Sequence, residues 1–351
     1  MSRADLRVGL IGYGLAGEAF HAPIIAATPG LELAAIVTGN AERRARAHMT
    51  YPRAELVGSA DELWTRTNAL DLVVIATPNR THVPLALAAL GADLGVVVDK
   101  PFAATVEDAR RVEQLARHRG LLLTVYQNRR WDGDFLTVRR LIRDGALGDV
   151  FRFESSFERW RPVPRHGWRE EGAPEEAGGT LYDLGSHLID QALVLFGRVR
   201  QVYAELDRRR GGVEVEDDVF LALTHESGVR SHLWISATAA LPAPRFRVLG
   251  SRAGYLKYGL DVQEAALRAG RRPDVPGWGE EPTEAWGLLG AGEERVPVRT
   301  EAGAYQQFYI GVERALRDGS APPVSPSDAI AGLAIIEAAR RSSADGRIIE
   351  P

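Results

Sequence analysis

The chain has 351 residues, more than a single hydrophobic core of about 250 to 300 residues supports, so two domains are expected. With 45% hydrophobic and 26% charged residues, 36 glycines and 19 prolines, the composition is globular and excludes disordered and collagen-like chains. A net charge of −4 offers no field to gather a polyanion, so no nucleic-acid partner is expected, and zero cysteines exclude disulfides, thiolate metal sites and cysteine nucleophiles.

The opening MSRADLRVGLIG has no apolar signal core, and no run approaches the roughly 18 apolar residues of a membrane span. With cysteine absent, which fits a reducing compartment, a cytoplasmic protein without a membrane partner is expected. The first third alternates short β-branched runs with helical stretches, the pattern of βαβ units on a parallel sheet. Five strands are predicted: Leu6 to Ile11, Leu33 to Val37, Leu72 to Ala76, Gly95 to Val98 and Leu121 to Val125. Ala60 to Thr67, Val83 to Leu90 and Val106 to Arg119 read as crossover helices, the last with Val106, Ala109, Val112, Leu115 and Ala116 on one stripe. This is an N-terminal doubly wound Rossmann domain over residues 1–125.

From residue 126 to 351 the pattern changes to a second, α+β domain with an open, mostly antiparallel sheet. A helix around Phe135 to Asp144, closed by Gly145, precedes strands that alternate apolar and polar residues: Val150 to Phe157, Val199 to Leu206, Val219 to Thr224, Arg230 to Ser236 and Arg245 to Leu249. The free face of that sheet is rich in Tyr, Phe and Trp, as an oligomer interface or a loop-covered face would be. Arg208-Arg209-Arg210 before Gly211-Gly212 reads as a solvated hairpin turn. Residues 270–295 read as a long ordered surface loop, and a final helix runs from Ser327 to Ser342.

Gly12-Tyr13-Gly14-Leu15-Ala16-Gly17 follows the first strand at once and opens a helix, the context in which GxGxxG carries meaning. Gly12 allows a tight turn, Gly14 lets backbone approach a pyrophosphate, and Gly17 lets helix and strand pack closely. The end of the second strand, where a carboxylate would hold the ribose hydroxyls of NAD, is Thr38-Gly39-Asn40, with Arg43 and Arg44 within a turn. NADP is therefore expected, with NAD the alternative: a charge-assisted bond to the 2′-phosphate contributes on the order of 1.5 to 3 kcal/mol. A solvated helix face accounts equally for any one of those arginines.

Separated stretches in the right order then resemble one family. Gly9 to Pro23 (GLIGYGLAGEAFHAP), Thr77-Pro78-Asn79 with His82, Asp99-Lys100-Pro101 and Gly179 to Gln191 (GTLYDLGSHLIDQ) resemble the Gfo/Idh/MocA oxidoreductases, over essentially the whole chain. Tyr126 to Phe135, Trp168-Arg169 and Lys257 to Pro273 are more similar to that family's NADP-dependent scyllo-inositol dehydrogenase branch than to its generic pattern. The resemblance implies a cofactor spanning the two domains and a dimer or tetramer packed through the open sheet. It implies reversible oxidation of a secondary hydroxyl in a cyclic polyol or sugar, with hydride passing to the nicotinamide. Carried onto this chain, the site residues are Lys100, Asp183 and His187, and cofactor contacts at Thr77, Pro78, Asn79, His82, Asp99, Lys100 and Gln127 join those of the loop. The family's Glu-Lys-Pro is here Asp99-Lys100-Pro101, one methylene shorter.

Oxidising an alcohol needs a base for the hydroxyl proton and a cation for the developing oxygen charge. His187 is the expected base and Lys100 the cation, with the reverse assignment open, and Asp183 orients substrate or Lys100. Asp183, His187, Asp190 and Gln191 share one helical stripe, which a solvated face would also show. Asn128, Arg129, Arg130 and Trp131, just after the last Rossmann strand, and Trp168, Arg169 and Tyr182 are the expected substrate contacts, Trp131 and Trp168 being equally readable as core or hinge aromatics. His166, His225 and His232 lack metal-ligand spacing, and no metal is expected, because the nicotinamide takes the electrons. A non-catalytic NADP-sensing protein and a reductase of another carbonyl or imine are the alternatives. Lys100, Asp183 and His187 together favour the enzyme, since a sensor needs no base.

Overall fold

The protein, seen in a computed structural model, is described at residues 4–164, 167, 170, 172 and 176–351. It divides into two compact units. The first takes the residues up to Asn128 and adds Gln263–Trp278 and Ala304–Ile330; the second takes Arg129–Val262, Gly279–Gly303 and Ala331–Pro351. Both are discontinuous, whereas the sequence pattern drew a single boundary after residue 125.

In the first unit, β1 (Leu6–Ile11), β2 (Leu31–Val37), β3 (Glu55–Val57), β4 (Leu72–Ile75), β5 (Gly95–Val98) and β6 (Leu123–Val125) pair in parallel in the order β3-β2-β1-β4-β5-β6. The last three are buried throughout, as strands covered on both faces must be. The helices between them are α1 (Ala22–Ala27), α2 (Ala41–Thr50), α3 (Ala60–Trp64), α4 (His82–Gly91) and α5 (Val106–Arg119). For α5 the local reasons are explicit. The Thr105 hydroxyl accepts from Asp108 N, Glu107 and Asp108 fill the first turn, three basic residues fill the last, and Gly120 at φ 65° ends the helix. Strand order reverses between β1 and β4, so their carboxyl ends flank the crevice where such sheets hold ligands.

In the second unit, β7 (Val150–Glu158), β8 (Val199–Asp207), β9 (Asp218–His225), β10 (Arg230–Ser236), β11 (Phe246–Gly250), β12 (Gly254–Lys257), β13 (Gly287–Ala291) and β14 (Glu294–Val298) form one sheet in the order β14-β13-β12-β11-β7-β10-β9-β8. Neighbours are antiparallel except β7 and β10. One face buries Phe153, Phe157, Leu233, Ile235, Phe246 and Val248 beneath α6 (Gly133–Arg143) and α7 (Ser186–Phe196). The other carries Phe220 stacked on the half-exposed Trp234, ring centroids 4.3 Å apart, and Glu154 paired with Arg152 and Arg247.

The C-terminal segments explain the discontinuity of the first unit. There α8 (Gln263–Arg268) and α9 (Gln306–Asp318) pack beside the Ala16–His21 turn and α1 respectively. Phe308, Tyr309, Val312 and Ala315 are the buried side of α9. The buried Gln263 accepts from both Trp278 Nε1 and Tyr305 N, at 3.1 and 2.8 Å, and Thr124 Oγ1 donates to Val324 O at 2.7 Å. The last helix, α10 (Pro326–Asp345), has its first turn in the first unit and its remainder in the second.

Two local expectations are corrected. Residues 270–295 are not loop throughout: β13 and the start of β14 lie within them, joined around Gly292 at φ 59°, with Pro297 tolerated because β14 is the sheet's edge. The Arg208–Arg210 turn is not wholly solvated, since Arg210 is buried, 2.8 Å from Asp217 and 3.2 Å from Glu170. Among the described residues no helix is long and apolar enough to cross a membrane.

Candidate active site

The glycine loop is built by close approach. Gly12 has φ 99°, and a side chain there would meet Ala76 O at 2.4 Å; one at Gly17 would meet Gly12 O at 2.0 Å. Both positions exclude a Cβ outright. At Gly14 the nearest atom is Arg43 Nη1, 3.8 Å away, so backbone there stands open to a ligand. The loop runs into a π-helical turn, Ala16–His21, continuous with α1, a geometry that recurs at functional sites. Tyr13 turns inward: its phenol is raised by burial and by neighbouring Tyr51 and Glu18. Leu15 is half exposed and Ala16 partly buried.

At the end of β2, Thr38 is buried and Asn40 caps α2 by accepting from Arg43 N at 2.9 Å. The three arginines that follow differ. Arg44 donates to Leu56 O at 2.8 Å, and Arg46 makes two bonds to Glu18 at 2.7 and 3.0 Å. Arg43, exposed, has its guanidinium over Gly14.

At the ends of β4 and β5, Thr81 Oγ1 lies 2.7 Å from both Thr77 Oγ1 and Pro78 O, and Asn79 is buried. His82, expected to touch cofactor, has Nδ1 2.8 Å from Pro101 O and Nε2 3.0 Å from Thr77 O, the neutral ring donating to one of the two carbonyls, and is 1% exposed. It is a brace between the two strand ends. Burial pushes its imidazole below the ordinary range despite the opposing pull of Asp99. Asp99 Oδ1 accepts from Lys100 N at 2.8 Å, and the Lys100–Pro101 peptide is cis. Burial alone would raise the Asp99 carboxyl, yet His21 beside it and the Lys100 charge hold it below the usual carboxylate range. Lys100 is half-buried. Past β6, the buried Gln127 has an amide Oε1 that meets no protein donor among the described residues.

In the second unit a further π-helical turn, Leu181–Gly185, carries Tyr182 and Asp183 into α7. Asp183 is half-buried and His187 is 5% exposed. The stripe they begin is buried rather than solvated. Asp190 binds Arg130 with two bonds, at 2.6 and 2.9 Å, while Gln191 donates to Arg129 O at 2.9 Å and accepts from Arg245 at 2.7 Å. Arg129 itself is buried, paired with Asp132 at 3.2 Å and stacked 4.8 Å over Phe157. Tyr182 lies under the Arg340 guanidinium at 5.2 Å, its phenol raised by burial. Asn128 is buried at the end of the first unit. Trp168, Arg169 and His166 lie outside the described residues. So Lys100 and the glycine loop belong to the first unit, and Asp183 and His187 to the second.

The donor set fits a dinucleotide: a loop whose glycines admit no side chain, open backbone at Gly14 under a cation, and an unmatched buried amide at Gln127. Two signals the sequence reading passed over are lysine scarcity, since Lys100 and Lys257 are the chain's only lysines, and His21 within the FHAP stretch.

Residues 6–127 match the model of an oxidoreductase family with an NAD-binding Rossmann fold, and residues 135–256 match the GFO/IDH/MocA C-terminal domain. The chain is 43% identical to the uncharacterized oxidoreductase YdgJ of Escherichia coli, over 95% of both chains. It is 36% identical to the scyllo-inositol 2-dehydrogenase (NADP(+)) IolW of Bacillus subtilis, over 98% of this chain and 95% of that one. A D-apiose dehydrogenase of Paraburkholderia graminis is 30% identical over 92% of this chain and 83% of its own. Among solved structures, an oxidoreductase of Bacillus subtilis, YvaA, superposes with a TM-score of 0.92 at 36% identity, covering all of both chains.

Proposed function

The chain belongs to the GFO/IDH/MocA oxidoreductase family, and from that premise we propose that it is an NADP-preferring dehydrogenase. Its substrate on this reading is a secondary hydroxyl of a cyclic polyol or sugar of the inositol kind. The relatives that include polyol and sugar dehydrogenases support the substrate class. The observation that carries the chemistry is Lys100, a half-buried lysine at the carboxyl end of β5 in a chain with one other.

When bound, the dinucleotide supplies a nicotinamide that accepts or returns hydride. Gly12, Gly14 and Gln127 hold it on this reading, Arg43 reaches the 2′-phosphate, and the backbone of Tyr13, Leu15, Ala16 and Thr77 to Asn79 lines the path. His187 takes the hydroxyl proton, an imidazole being suited to exchange near neutral pH. Lys100 stabilises the charge that gathers on the substrate oxygen, and Asp183 orients the ring hydroxyls. The exposed aromatic face around Phe220 and Trp234 supports a homodimer or homotetramer packed through the second sheet.

The test is a screen of purified protein with NADP+ and NAD+ against scyllo-inositol, myo-inositol and several aldoses, following cofactor reduction by absorbance, with Arg43→Ala alongside. We expect turnover with NADP+ and a cyclic polyol, and an NADP+ preference that falls about ten- to 150-fold in Arg43→Ala. Tight NADP+ binding with no turnover on any polyol or sugar would contradict the reading and favour a sensor.

A further inference from the structure

Beneath the Lys100 turn lies a group of buried polar side chains that the proposed chemistry leaves unused. His21 closes the π-helical turn after the glycine loop and is fully buried. Its Nδ1 lies 2.6 Å from the Tyr309 hydroxyl, and its Nε2 faces Asp99 Oδ1 at 3.7 Å, longer than a hydrogen bond, with no hydrogen-bond partner among the described residues. Asp99 Oδ1 in turn accepts from the backbone N–H of Lys100 at 2.8 Å. Tyr126 lies against the His21 ring at 4.3 Å and Phe308 against Tyr126 at 4.9 Å, closing the group from water. Tyr309 and Phe308 come from α9, one of the late segments that return to the first unit.

The proton order follows from the partners. An ionised carboxylate only accepts, so His21 presents Nε2–H to Asp99. The phenol of Tyr309, kept protonated by burial and by nearby Tyr126 and Asp99, then donates to Nδ1. On the far side of the same turn, His82 braces Pro101 O.

We propose that His21 and Tyr309 are positioning residues for Lys100: the chain Tyr309 Oη, His21, Asp99 Oδ1, Lys100 N fixes the peptide from which the lysine side chain leaves β5. This rests on the reading that Lys100 works on the substrate oxygen. An Asp at position 99, shorter than Glu, keeps its carboxylate close to its own backbone, where it can cap Lys100 N. His21 spans what remains of the distance to Tyr309.

With only two lysines in the chain, protein labelled at the lysine side-chain carbon gives two resonances, and Lys257 serves as the internal control. The full chain is compared with Tyr309→Phe, which removes one hydroxyl, with His21→Asn, which retains a partner for Tyr309 but withdraws the donor facing Asp99, and with His21→Gln, whose amide nitrogen reaches towards Asp99. At fixed pH, Tyr309→Phe and His21→Asn are expected to move the Lys100 resonance and leave that of Lys257 in place. They are also expected to lower kcat about ten- to a hundredfold, as misplacement of a reacting group does, with KM for the cofactor unchanged; His21→Gln restores most of both. A Lys100 resonance unmoved in both variants overturns the proposal, whatever happens to Tm. The resonance reads the chain of contacts independently of turnover. Full activity in Lys100→Ala would sink the functional reading alone.

Discussion

Lys257 on β12 and Lys100 at the end of β5 are the only lysines among 43 basic side chains, and their surroundings differ in kind. Lys257 is 1% exposed, donates to Tyr258 O at 2.7 Å and to Glu281 at 3.1 Å, and Glu281 also accepts from Thr300. Every one of those partners is a protein group, and the cage spends its cation on tying the end of β12 to the segments that precede β13 and follow β14. Lys100 is half-buried at the carboxyl edge of a parallel sheet, its own N–H capped by Asp99 and the next carbonyl braced by His82. This residue lies at the strand end where ligands of this fold gather. Arginine keeps its charge at any working pH, whereas lysine is compact and can give up a proton. In a chain that otherwise uses arginine, a lysine marks a place where size or proton exchange decides.

The largest expected effect breaks the structural half of that contrast. Lys257→Ala leaves Glu281 buried without its cation and is expected to cost about 3 to 5 kcal/mol of stability in denaturant unfolding, with kcat per folded molecule unchanged. A loss of activity without loss of stability would reverse the roles of the two lysines. A smaller effect sharpens the other half. Asp99 is held below the ordinary carboxylate range, so its stabilisation is present above that range and is lost as pH falls through its folded-state value. Asp99→Asn is therefore expected to be less stable than the parent by about 1.5 kcal/mol at neutral pH, and the two unfolding curves should converge in acid. A constant gap at all pH values would mean that the charge of Asp99 is not what counts.

What the sequence made legible was local. Leu6–Ile11, Gly95–Val98, Arg230–Ser236 and Val106–Arg119 appear with the bounds that apolar runs and periodicity predicted. The glycine loop was legible because φ at Gly12 and the approach of Gly17 to Gly12 O are constraints of the backbone itself. The strands that escaped, β3, β12, β13 and β14, lack the unbroken β-branched run that marked the equally short β5, so glycine, proline and charged residues hid them among their flanks. The return of α9 to the first unit depends on contacts between distant parts of the chain, which no local pattern carries. The same holds for the polar side chains. His82, Asp190 and Gln191 have the composition of a solvated or ligand-facing stripe, but carbonyls and arginines from other elements take them up. Burial of a polar group is decided by its partners, and those lie far along the chain.

Substituting Lys100→Arg separates charge from proton exchange and size in one step. The measurement is steady-state oxidation of a cyclic polyol with NADP+, comparing Lys100→Arg with the parent and with Lys257→Arg. For Lys100→Arg we expect kcat to fall by about 10²- to 10⁴-fold, the range of a proton-transfer or charge-stabilising group, with cofactor affinity and Tm close to the parent. Turnover equal to the parent in Lys100→Arg would contradict the role of Lys100 and, with it, the proposed chemistry.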